Sequence, residues 1–226
     1  VADPPLEQVI TRAVETGFRG GYPFNKFNVN WSSIGYLTKN YDDIIFVSSG
    51  TGLSSGYFKN FGETQRLGLD FSLNASHKNR KNWFKGFKLN YSFMQASFQS
   101  AHTLPAANHP NSTNDVEAGD IIPGMPKHKI NANVTYSLHE DLNITGGLTA
   151  ATGVFLRGDE SNQLNKTAPY AVFNLQSEYS PKKNINFFAR LENVLNSKYE
   201  TMGVLGEAAS DEVNVPIAEL GDTGNG

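Results

Sequence analysis

The 226-residue sequence contains no cysteine, which excludes disulfide scaffolding and thiolate metal sites. It also has no apolar run approaching the roughly 18 residues that a helix needs to cross a bilayer. That absence rules out a helical span but not a membrane β-barrel, whose alternating strands average to a polar value. The mean hydropathy of −0.40 is compatible with such strands. Charge of neither sign dominates: 19 Lys and Arg stand against 22 Asp and Glu, a net charge of −3. One basic cluster in a net acidic chain does not make a nucleic-acid surface. The opening Val1-Ala2-Asp3-Pro4-Pro5 lacks the charged start and apolar stretch of a signal peptide.

What the sequence has is alternation. In Tyr170–Tyr179, Ala171, Phe173, Leu175, Ser177 and Tyr179 fall on one face and Val172, Asn174, Gln176 and Glu178 on the other. Pro181 to Asn184 make a turn, after which Ile185, Phe187, Ala189 and Leu191 alternate with Asn186, Phe188, Arg190 and Glu192. A period of two marks a sheet with one apolar and one polar face. The same pattern recurs in Val9–Gly20, in Phe27–Leu37 running on through Ile44–Val47, and in Leu67–Leu73. It appears again in Phe87–Phe93, Ile130–Leu138 and Leu142–Ala150.

The sequence therefore predicts an all-β chain of about eight strands in antiparallel, up-and-down meander order. Short links follow strands one, three, five and seven. Longer stretches follow the others: Ser48–Gly56, Ala101–Met125, Arg157–Pro169 and the segment after Thr201. Strict parity of turn and loop is how up-and-down barrels thread an outer membrane. The polar faces, rich in Asn, Ser, Thr and Arg, are too polar for the core of a sandwich. His77, Lys78, Arg80, Lys81 and Lys85 with Trp83 and Phe84 read as a solvated link next to interfacial aromatics.

Catalytic and metal constellations are not visible. The carboxylate pairs Glu178 with Glu192, and Glu15 with Asp70, read as lumen residues hydrated or paired with Arg190, Arg66 and Arg19. His77, His102, His109, His128 and His139 lack metal-ligand spacing. No enzyme, metal centre or cofactor is expected. The loops after the even strands are acid-rich (Asp42, Asp43, Asp115, Glu117, Asp120, Asp159, Glu160), which does not favour an anionic ligand.

Several segments also carry familiar wording. Phe-Asn-Leu, a turn, then Phe-Phe-Ala-Arg-Leu-Glu-Asn-Val-Leu-Asn-Ser-Lys-Tyr at 187–199 closely resembles the penultimate hairpin of TonB-dependent outer-membrane receptors. Arg190, Glu192, Asn193, Asn196 and Tyr199 carry that likeness as structural motif residues. The opening Asp3–Gly20, the Asn60-x-Gly-x-Thr-x-Arg66 stretch and Pro123-x-x-Pro126-x-His128 resemble other barrel segments of the family.

The resemblance implies an outer-membrane active-transport receptor for a scarce ligand such as a ferric siderophore, energised by TonB. It implies outer-membrane lipid, the ligand and the TonB complex as partners, TonB being reached through a plug. It also implies a barrel of 22 strands, of which residues 1–226 would supply about strands 14–21. Neither the plug nor the final strand is in this sequence. The chain is expected to be a piece of a longer one. On the outer loops, His102, His109, Arg157, Lys166, Tyr57 and Phe58 are the ligand candidates. The alternatives are a small eight-stranded outer-membrane anchor or adhesion barrel and a soluble β-rich binding protein. The first requires its end strands to pair.

Overall fold

The computed structural model describes residues 4–48, 56–79, 81–105 and 113–205, and among these it contains strands and no helix. In chain order the strands are β1 (Ile10–Phe24), β2 (Phe27–Tyr41), β3 (Ile44–Ser48), β4 (Gly56–Asn60), β5 (Thr64–His77) and β6 (Phe84–Phe98). Then follow β7 (His102–Pro105), β8 (Thr113–Val116), β9 (His128–His139), β10 (Leu142–Ala151), β11 (Tyr170–Lys182) and β12 (Ile185–Leu191). Eight of them form one antiparallel sheet in the order β1-β2-β5-β6-β9-β10-β11-β12. This is the expected meander, because no long strand pairs with any but its neighbours along the chain.

The other four make two ribbons, β3-β4 and β7-β8, inserted in the long loops. Here the structure corrects the sequence reading. The strand beginning at Phe27 does not run on through Val47; it stops at Tyr41, where Asp42 takes a φ of 55°. Asp is among the few residues that tolerate this left-handed conformation, and it turns the chain out of the sheet. Ala101–Met125 is likewise not wholly irregular, since His102–Pro105 pairs with Thr113–Val116. Residues 49–55 of the first loop lie outside the described residues.

Register carries the two faces across the whole sheet. One row runs Tyr22, Val29, Ala75, Phe87, Val134, Gly146, Leu175, Leu191. The row beside it, on the opposite face, runs Gly21, Asn30, Asn74, Lys88, Asn133, Gly147, Asn174. The apolar members of the alternating stretches, Leu67, Leu69, Phe71, Leu89, Tyr91, Ile130, Val134, Leu148, Phe173, Phe187 and Leu191, all fall on the first face. Among the described residues no second sheet covers it: Val14 is 72% exposed, Phe18 73% and Leu191 56%. Apolar side chains kept in register over eight strands and left uncovered fit a lipid-facing surface.

The opposite face is a wall of short polar side chains. Ser92 donates to the Asp70 carboxylate across β5-β6. Gly68 is required on this face because the ring of Tyr36, its partner on β2, lies where a β-carbon would sit. The sheet has two open edges, β1 and β12, and among the described residues no ladder joins them.

Candidate functional site

The loop end contains the main buried apolar core. Val47, Phe61, Ala96, Phe98, Leu104, Val116 and Ile122 form one buried cluster, with Ile45, Tyr57 and Met125 packed against it. Ala96 and Phe98 belong to β6 and share the polar face with Arg66 and Thr64, their register partners on β5. Both ribbons are therefore anchored on the polar side of the sheet and form a cap at that side of its loop end. Phe61 and Phe98 are fully buried with ring centroids 4.8 Å apart. Burying one such ring is worth about 1.5–3 kcal/mol.

Asp43 fastens the first loop to this core. Its backbone exchanges hydrogen bonds with Phe61 and Gly62. Its carboxylate accepts from the Thr64 hydroxyl, from Asn40 Nδ2 at 3.2 Å and from Arg66 Nη2 at 3.1 Å. Burial alone would raise the pKa of this carboxyl, but the Thr64 and Asn40 hydrogen bonds and the Arg66 charge outweigh it and hold Asp43 below its ordinary range. Arg66 was expected among the partners of lumen carboxylates. It ion-pairs with the loop carboxylate of Asp43.

The candidate ligand residues divide by position. His102 packs on Phe61 with ring centroids 4.3 Å apart and the planes tilted by 50°, its Nε2 2.9 Å from the Ser100 hydroxyl. Burial and the nearby Lys59 charge push its imidazole below the usual value. Tyr57 packs on the same core. Phe58, next along β4, is 45% exposed and meets Phe46 edge-on at 5.4 Å. Arg157 lies on the third loop with an exposed side chain, its backbone paired to Gly203 and Leu205. Lys166 places its Nζ 4.6 Å above the Phe155 ring. His102 and Tyr57 thus meet in one cap, while Arg157 and Lys166 share a separate loop. His109 lies outside the described residues.

The third loop is knotted around its own acids. Asp159 accepts from the backbone N–H groups of Gln163 and Leu164, and Glu160 accepts from that of Gly158. Both are buried, at 2% and 6% exposure. Burial pushes the Glu160 carboxyl above its usual value; the backbone N–H groups of Gly158 and Glu160 oppose this and the neighbouring Asp159 charge adds to it. Asn162 links this loop to the second through Ile121, and Asn114 donates to the carbonyl of Gly158. Three of the seven loop acids counted in the sequence, Asp43, Asp159 and Glu160, are thus spent inside the fold. Counting charges missed Asp43 and Asn162 as organisers. The Tyr-Asp-Asp turn at 41–43 was a signal for the first, and nothing local marked the second.

The motif after β12 is an architectural closure. Asn193 and Asn196 both take a φ of 51°. The Asn193 side chain holds Ser197 through two 2.9 Å bonds, and its backbone N–H donates to Asn174 Oδ1. Tyr199 stacks on Tyr170 at 4.9 Å, and Arg190 pairs with Glu192 at 2.9 Å.

Residues 1–194 match the family model "TonB dependent receptor-like, beta-barrel". The chain belongs to the TonB-dependent receptor β-barrel family. Such barrels reside in the bacterial outer membrane, which accounts for the uncovered apolar face. Among solved structures, the siderophore receptor PiuA from Acinetobacter baumannii aligns with a TM-score of 0.64 at 16% identity, covering 87% of this chain and 26% of that one. The copper transporter OprC gives 0.60 at 17% identity, covering 90% and 27%. The ferric yersiniabactin uptake receptor FyuA from Yersinia pestis gives 0.55 at 14%, covering 85% and 26%. This TonB-dependent receptor barrel chain thus spans about a quarter of the length of each. No curated protein sequence matches it significantly.

Proposed function

We propose that the chain forms about strands 14–21 of a 22-stranded receptor barrel that imports a scarce ligand, a ferric siderophore or similar metal chelate, in a TonB-driven cycle. TonB would act through a plug supplied elsewhere in the receptor. The observation that carries this reading is the cap. Two loop ribbons pack onto the polar side of the sheet at its loop end through Phe61, Phe98 and Val116. In a closed barrel that side is the lumen, so the cap would overhang the entrance. Among the described residues β1 and β12 are left unpaired at the sheet edges, which counts against a self-contained eight-stranded anchor barrel.

Phe58, Arg157 and Lys166 would make first contact with the ligand, backed by Tyr57 and His102, with His109 on the same second loop. Asp43, Asp159 and Glu160 are consumed internally, which weakens the argument of the loop acids against an anionic chelate. No catalytic step is proposed. The test is to delete 101–125 or 157–169 from the full-length receptor and measure ligand binding at the cell surface. Loss of affinity with normal barrel assembly is expected. Unchanged affinity in both deletions would make this region plain wall.

A further inference from the structure

The link end of the sheet carries a second, unassigned feature. The links 24–27 and 77–84 are fused: the N–H of Lys78 donates to the carbonyl of Lys26 at 2.8 Å and its Nζ to the carbonyl of Asn25 at 2.7 Å. Neither link contains a carboxylate. Lys26, Lys78 and Lys81 are exposed, and among the described residues none of the three makes an ion pair. Immediately below them, on the outward face, lies a continuous tier of rings. Phe27 meets His77 at 5.2 Å and Phe84 at 5.7 Å; Phe84 meets Tyr136 at 5.5 Å. Trp83 stacks on Tyr136 at 5.1 Å and 11°, yet stays 65% exposed. The register shift between Phe84 and Gly86 sets this geometry, as a bulge re-aims the side chains beside it.

We propose that this corner is a binding site for an anionic phospholipid of the periplasmic leaflet. Short links are the periplasmic turns of such barrels, so the rings sit at the height of the lipid carbonyls and the lysines at the height of the phosphates. A soluble polyanion would need only the cations, whereas the outward ring tier is aimed at a bilayer. A zwitterionic headgroup brings an ammonium that three neighbouring lysines would repel. A phosphatidylglycerol headgroup brings the phosphate without it. The proposal rests on the barrel lying in the outer membrane, and heat-modifiable migration of each assembled variant tests that reading separately.

The experiment uses the full-length receptor in mixed phosphatidylglycerol and phosphatidylethanolamine nanodiscs. Retained phosphatidylglycerol is counted by native mass spectrometry for wild type, for Lys26→Gln with Lys81→Gln, and for Lys182→Gln with Lys183→Gln at a distant link. Retention should fall roughly fivefold for each of Lys26 and Lys81 removed and hold in the distant pair. Independently, the fluorescence lost in Trp83→Phe should be quenched more by brominated phosphatidylglycerol than by brominated phosphatidylethanolamine. Equal quenching by the two lipids, or equal loss of lipid from both double variants, would overturn the site in favour of unspecific charge attraction.

Discussion

The side-chain amide of Asn162 accepts a hydrogen bond from the N–H of Ile121 at 2.6 Å and donates one to its carbonyl at 2.9 Å. A side chain thereby imitates a strand partner and clamps the third loop to the second across 41 residues of chain. Replacing Asn162 with Ala strips two half-buried backbone groups of their partner, a loss of about 1–3 kcal/mol. Hydrogen exchange should quicken in 118–124 and 158–164 while heat-modifiability of the barrel stays unchanged.

That clamp also marks where sequence reasoning stops. Eight strands and both faces were legible because period two is written into consecutive residues, as in Phe173, Leu175 and Ser177. The two ribbons were not. Strands of four or five residues such as His102–Pro105 are too short to show a period, and their partners lie across a loop. The break at Asp42 was obscured by Ile44–Val47, which continues the apolar wording of β2. Asn162 could not be read at all, because its role exists only once two loops meet. Among the candidate ligand residues, the sequence could place Tyr57 and Phe58 side by side but not say that one points into a core and the other out.

Asp43→Ala should loosen the first loop. It removes the acceptor for Thr64, Asn40 and Arg66, at roughly 1.5–3 kcal/mol for a charged hydrogen bond, reduced here because Arg66 is partly exposed. The folded pKa lies below the ordinary 3.8, so the contribution is present above that value and is lost as pH falls through the folded one. Proteolytic nicking in 41–64 should stay constant from neutral pH down to about 5 and rise in stronger acid. In Asp43→Asn that acid step should vanish.

Glu160 should give the opposite sign. Its folded pKa is raised above the ordinary 4.5, so stability is full below that value and declines as pH rises through the folded one. Exchange protection of 158–164 should therefore weaken on going from mildly acidic to mildly alkaline buffer. Glu160→Gln, which stays neutral, should flatten the profile; a persistent slope would point to another group.

Phe173→Arg or Leu191→Arg places a charge on the uncovered face of β11 or β12. In mid-bilayer this costs roughly 2–4 kcal/mol. The full-length variants should show less heat-modifiable receptor in the outer-membrane fraction. Arg in place of Asn90, exposed on the opposite face of β6, should assemble normally.

The long strands pair only with sequence neighbours, and this separates the evolvable parts of the molecule from the fixed ones. Lengthening a loop where its backbone is not held by the fold changes the closure entropy only as the logarithm of loop length. It shifts no register, since every ladder is set within its own hairpin. A slip of one residue within β11 would instead turn Phe173 toward the lumen and Asn174 toward lipid. Such a chain can exchange the chemistry it shows to the outside world without rebuilding its wall, so new specificities are reachable by small, separately tolerable steps.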